Sequence, residues 1–255
     1  MKLRSKGKKG LLVLLVLVLV IIGVSVLTDT PPFVVINGKA YWVFTRDLDL
    51  ENGSYKDPKS YYSNKDVKAL KHMRWVKELN LTYTHITDVS FLNEMCLLRK
   101  VFYFGNAYQI EDWTPISNCK KLETFCGFNL GNFYDLSVFK ELVNLKSLYI
   151  ETPYGIGYIR ESKVNDISDV KYLVNLEVFA VCGKDITDIS ALKRCLKLKR
   201  LYLYEISAAA DYSVLFEIPD LEYLAIPKGV LKEYEIRTLE GKGVSVHEHE
   251  QTETE

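Results

Sequence analysis

The sequence is short of the residue patterns that usually carry chemistry. It holds 4 histidines and 5 cysteines, with no Cys-x-x-Cys and no paired spacing. An odd cysteine count argues against a disulfide framework. A catalytic thiol needs a histidine beside it, and His72, His85, His247 and His249 stand in no such context. GIGY at 155–158 lacks the third glycine and the strand–helix setting of a phosphate loop. The glycine-rich nonapeptides of a calcium β-roll are missing too. Net charge is also lacking, with 33 basic against 33 acidic residues. Five of the basic groups (Lys2, Arg4, Lys6, Lys8, Lys9) fall within residues 1–10, so the rest of the chain carries 28 against 33. A mildly acidic body argues against a nucleic-acid binder, which shows a basic face. No enzyme signature, metal site or cofactor site emerges.

What is present begins with residues 11–27, LLVLLVLVLVIIGVSVL, apolar or small and without a charge. As a helix this run spans about 26 Å, close to the ~30 Å hydrocarbon core of a bilayer. Lys8 and Lys9 can snorkel to cover the shortfall. The basic flank 1–10 places the N-terminus in the cytoplasm and the chain after Thr28 outside. The expectation is an uncleaved, single-pass signal anchor. A cleaved signal peptide and a buried soluble helix are the alternatives. The best cleavage candidate, Gly23-Val24-Ser25, fits the small-residue rule poorly. No cysteine follows the run to take a lipid.

The phrase HITDVS at 85–90 returns as DITDIS at 185–190. Generalised to D-φ-[S/T]-x-φ-x-x-φ, it begins at Asp88, Asp112, Asp135, Asp166, Asp188 and Asp211, and at Asp66 with Lys in the Ser place. Ten residues after each Asp comes φ-x-x-φ-x-φ, starting at 76, 98, 122, 145, 176, 198 and 221. A fixed period of this size is the mark of a solenoid. The φ-x-φ alternation is strand period, and the φ-x-x-φ portion suits a helical or 3₁₀ turn. Each unit is then one strand, a turn and a short return. Stacked in parallel, the units bury the apolar side that one unit alone cannot.

LxxLxL followed by IxDISxL at a period of 22 resembles the short leucine-rich repeat of internalins and of phosphatase-regulatory leucine-rich repeat proteins. The resemblance covers residues 45–226. It implies an α/β solenoid, a curved horseshoe with a parallel sheet on its concave side, and a protein-binding role. The position three after the last strand leucine, usually Asn in that family, is here Thr84, Asn106, Leu130, Pro153, Lys184 and Ile206.

The organisation follows. Residues 28–32 are a linker, and Asn37-Gly38 between alternating apolar runs makes 33–44 a cap hairpin. Repeats fill 45–229, with Leu48 and Leu50 as an early, degenerate strand. Residues 230–246 form a C-terminal cap with a helix around Glu233–Leu239 and a strand VSV, and 247–255 an acidic tail. Two turns, 51–66 and 151–166, carry nine extra residues and are tyrosine-rich, so they are expected to protrude from one rim.

The seven Asp residues are read as structural turn caps. Asp at a helix start accepts backbone N–H bonds where the dipole favours an anion, whereas catalysis needs groups that converge. The positions between the strand leucines point outward. They put Phe102, Phe104, Phe128, Tyr149, Arg200, Tyr202, Tyr204 and Tyr223 on the concave face. Exposed aromatic patches mark interfaces, and Tyr and Arg recur as hot spots. The expected function is a non-catalytic protein-interaction module outside the membrane, its partner a protein. An internalin-like adhesin is one alternative, although no LPxTG sorting motif is present. An envelope enzyme with a loop-borne site is another.

Overall fold

The structure, a computed structural model, describes residues 4–28, 31–51, 62–103, 109–128, 130, 133–150 and 162–250. Helix α1 spans Arg4–Thr28. Strands β1 (Phe33–Ile36) and β2 (Lys39–Trp42) pair antiparallel. Asn37 and Gly38 connect them with φ of 46° and 74°. That pair of positive angles is what a two-residue hairpin turn needs and what Asn-Gly supplies cheaply.

Among the described residues the main sheet has nine parallel strands. They are β3 (Asp47–Asp49), β4 (Glu78–Asn80), β5 (Lys100–Tyr103), β6 (Thr124–Gly127), β7 (Ser147–Ile150), β8 (Val178–Cys182), β9 (Arg200–Tyr204), β10 (Tyr223–Pro227) and β11 (Ser245–His249). Sequence order equals spatial order, as stacking of identical units demands. Leu48 and Leu50 are buried, and β3 pairs in parallel with β4 at the edge of the sheet.

Six of the repeats turn in the same way. One oxygen of Asp88, Asp112, Asp135, Asp166, Asp188 and Asp211 accepts the backbone N–H two residues on, at 2.7–2.9 Å. A 3₁₀ helix follows: Ser90–Glu94, Thr114–Asn118, Ser137–Phe139, Ser168–Tyr172, Ser190–Arg194 and Tyr212–Glu217. The Asp thus satisfies a donor that the helix start would otherwise orphan. Asp66 departs from the column. With Lys68 in the Ser place, the return begins earlier as helix α2 (Asn64–Val67) before a 3₁₀ turn at Lys68–His72. Asp66 reaches backward instead, accepting from the Ser63 N–H at 2.9 Å and its hydroxyl at 2.8 Å.

The core lies between the sheet and the 3₁₀ helices. Leu79, Val101, Phe125, Leu148, Phe179, Leu201 and Leu224 all face it and are buried. The middle repeats replace leucine by rings: Trp113 meets Phe125 at 5.9 Å, and Phe125 meets Phe139 at 4.9 Å. Where the family pattern has Asn, Thr84 is buried and its hydroxyl donates to the Leu81 carbonyl at 2.8 Å. Leu130 and Ile206 at the same position are buried apolar plugs.

Helix α3 (Glu233–Gly241) and β11 close the C-terminal end. Residues 247–249, expected at the start of an acidic tail, belong to β11 and pair in parallel with Ala225–Pro227. The Tyr-rich insertions at 52–61 and 151–161 lie outside the described residues, as do Phe104 and the last five residues. The expected transmembrane span is not supported: among the described residues no helix is long and apolar enough to cross a membrane.

Candidate functional site: the open face of the sheet

The sheet face turned away from the core is set by strand alternation. In β9, Leu201 and Leu203 are fully buried, while Arg200, Tyr202 and Tyr204 face outward. The same register carries the middle outward row across the sheet as Asp49, Asn80, Phe102, Cys126, Tyr149, Ala180, Tyr202, Ala225 and His247. From Phe102 onward, large rings alternate with small residues. Strands ~4.8 Å apart leave little width for a ring on each. A small residue on every second strand gives the neighbouring rings room to lie over. That explains why Cys126 and Ala180, on the outward face, are nonetheless buried, and why the rings stand half-buried.

The structure brings part of the expected aromatic set into direct contact. Tyr202 lies 6.2 Å from Tyr204 and 5.0 Å from Tyr223, ring centre to ring centre. Two residues that the sequence reading missed complete the group. His247 stacks on Tyr223 at 4.8 Å and His249 packs against Tyr204 at 5.1 Å. Phe102 and Tyr149 lie on the same face in β5 and β7, and Phe128 follows β6. Arg200 is exposed at the edge of the cluster.

His249 also has a backbone task. Tyr223 N–H donates to the Lys199 carbonyl at 2.9 Å. Continued by two residues twice, that ladder pairs the Leu203 carbonyl with residue 227, a proline with no N–H to give. His249 Nε2 lies 3.1 Å from that same carbonyl. A carbonyl can only accept, so Nε2 carries the proton and replaces the missing ladder bond. His247 Nε2 lies 3.0 Å from the Ser245 hydroxyl. A sequence signal existed for these histidines: the alternation that makes Val244 and Val246 inward continues to His249.

The other expected features behave as structure. The Asp column places one carboxylate per repeat, each spent on its own turn. The Thr114 hydroxyl and amide hold the Asp112 carboxyl below the usual range, the Ser190 amide and hydroxyl do so for Asp188, and the Ser213 hydroxyl and amide for Asp211. All five cysteines are free thiols. Burial pushes Cys119, Cys126 and Cys195 up to about 12, the reverse of an activated nucleophile. Cys119 and Cys195 sit in the core and point at the Leu92 and Val170 carbonyls, at 3.6 and 3.5 Å. Among the described residues no cluster of three or more His, Cys, Asp or Glu is placed to hold a metal ion.

No family model and no curated protein matches the chain. Solved structures do. Internalin C2 from Listeria monocytogenes superposes with a TM-score of 0.52 at 19% identity, over 66% of this chain and 71% of that one. The chain has the leucine-rich repeat fold. A second structure, internalin InlF of the same organism, matches at a TM-score of 0.35 and 18% identity over 73% and 71% of the two chains. Within the leucine-rich repeat fold, the outward row described above is the face of the parallel sheet.

Proposed function

We propose that this leucine-rich repeat protein is a non-catalytic binding module, held at the outer face of the cytoplasmic membrane, that takes a protein partner on the open face of its sheet. The carrying observation is the Tyr202–Tyr204–Tyr223 cluster with His247 and His249. Five ring systems linked by a chain of pairwise contacts lie on a β-surface, four of them half-exposed and His247 exposed. Rings already packed on one another lose little conformational freedom on binding, and flat amphipathic rings supply contact area with a polar edge. Arg200 beside them adds a charge-directed contact. The raised thiols and the dispersed carboxylates favour binding over catalysis.

The anchoring half of this reading rests on residues 11–27, on the five basic residues before them, and on the exposure of Leu12–Val20, 45–64% along α1. A row of exposed aliphatic side chains calls for an apolar surrounding. Protease treatment of intact cells producing the chain is expected to remove epitopes after residue 62. Full protection would place the repeats on the other side and overturn the topology. For the binding face, wild type and a Tyr202→Ala/Tyr223→Ala variant are compared as baits against cell-envelope proteins. A partner retained by the wild type and lost, at least tenfold in affinity, by the equally folded variant is the expected result. A partner held equally by both would move the site elsewhere.

A further inference from the structure

The N-terminal cap has an apolar outer face that neither the repeats nor the partner-binding surface uses. Its hairpin alternates cleanly: Val34 and Ile36 enter the core, while Phe33, Val35 and Trp42 point outward and are 46%, 62% and 46% exposed. Phe33 and Trp42 stack at 4.4 Å. Beside them Phe44 meets Trp75 at 5.7 Å, again with both rings open to solvent. Four exposed aromatic rings and a valine on one end of a small domain form a patch of the kind that marks an interaction surface.

Three observations say what covers it. First, α1 and the cap share a wall. Ile21 and Ser25 of α1 line a cleft of about 350 Å³ together with Val43, Phe44, Arg74 and Trp75. Second, only residues 29–32 separate α1 from Phe33, so the cap can lie no more than about 18 Å from the end of the helix. Third, the chain around Trp75 is basic. Lys68, Lys71 and Arg74 are exposed, with His72 and Lys77 half-exposed, against three acids that are each already engaged: Asp66 by Ser63, Glu78 by Lys100 at 2.7 Å and Glu94 by Arg74 at 2.9 Å. Exposed Trp and Phe flanked by Lys and Arg, next to an apolar helix, is the composition of the headgroup layer at a bilayer surface. Neither a protein core nor a second copy of this chain, whose body is mildly acidic only in sum, accounts for both the rings and the basic rim as directly.

We propose that Phe33, Val35, Trp42, Phe44 and Trp75 form a docking face for the headgroup layer of an anionic phospholipid bilayer. The first repeats would then rest on the membrane, with β11 and its Tyr–His cluster at the far end of the solenoid. This inference rests on α1 being the membrane anchor. It adds that the domain is held in a fixed pose rather than swinging on residues 29–32.

The three tryptophans make the test direct, because Trp42 and Trp75 are on the patch and Trp113 is buried in the core. The full chain is reconstituted into phosphatidylcholine–phosphatidylglycerol vesicles, with or without brominated phosphatidylcholine as quencher. Flotation is measured alongside emission. Wild type is expected to float and to lose most of the Trp42 and Trp75 emission. Trp42→Phe and Trp75→Phe should each remove part of the quenched signal, and the double variant, reporting Trp113 alone, should be unquenched. Both changes keep a ring at a half-exposed position, so folding is preserved. Floating chain with unquenched Trp42 and Trp75 overturns the docking face and leaves the anchor standing. Chain that does not float overturns the anchor and the docking face with it. Quenching of Trp113 to the same degree means a cap that inserts only by unfolding, which also refutes the proposal.

Discussion

In β9, Leu201 has no exposed surface while Tyr202, the next residue, lies on the open face against Tyr204 and Tyr223. The two positions therefore respond differently to truncation. Leu201→Ala is expected to cost about 2–5 kcal/mol through lost burial and a cavity. Tyr202→Ala gives up ring contacts on one side only, about 1 kcal/mol. In a domain of this size that separates a melting-temperature drop of order 10 °C from one of a few degrees. Thermal unfolding by circular dichroism reads both, and equal drops would contradict the inside–outside assignment. This level was legible in the sequence, because a period of two leaves no freedom about which side chain enters the core. Gly183 was not legible. A Cβ there would strike the Val164 carbonyl and approach Ile186 Cδ1 at 2.8 Å, a close approach created only when one repeat stacks on the next.

At the scale of the element, the recurring piece is Asx turn, 3₁₀ helix and strand. The carboxylates of Asp112, Asp188 and Asp211 have folded values below their ordinary ones, each through its hydroxyl and amide partners two residues on. A depressed carboxyl contributes stability that is present above the unfolded value, near 3.9, and is lost as pH falls through the folded one. Urea midpoints are therefore expected to be constant above about pH 5 and to fall toward pH 3. Asp188→Asn should flatten part of that fall, because an amide does not titrate, without abolishing it, because Asp112 and Asp211 still do. An unchanged pH slope in Asp188→Asn would remove the carboxylate from the account. The motif was visible in the sequence, but its exception was not. Asp66 shares the spelling and turns the other way, because Lys68 has no hydroxyl to join the turn and Ser63 upstream does.

Over the whole molecule, a solenoid is a row of units stabilised by their neighbours, so its ends matter most. Strand β11 and α3 cover the last repeat, with Leu239 and Val244 buried against it. Ending the chain at residue 243 removes β11, leaves the Leu203 carbonyl without His249, and exposes the edge of β10. The expected outcome is a lower melting temperature, by several degrees, with concentration-dependent association through the new edge. Calorimetry and size-exclusion chromatography check this together. A truncated chain that melts like the full one would make β11 an ornament of the sheet rather than its cap.

By itself the sequence determined the repeat, its seven phases, the parallel order of the strands and the inward leucines. Those follow from local periodicity, which stacking amplifies without altering. Only the tertiary structure decided what the face of the sheet holds. Strand register places Ala180 and Ala225 beside the rings of Tyr149 and Tyr202, and it brings His247 and His249 onto Tyr223 and Tyr204 across strands more than 20 residues apart in the chain. A string such as His-Glu-His reads as a solvated tail until a neighbouring strand offers it backbone partners and a ring to lie on. Contacts of that kind belong to pairs of repeats, and no single repeat spells them.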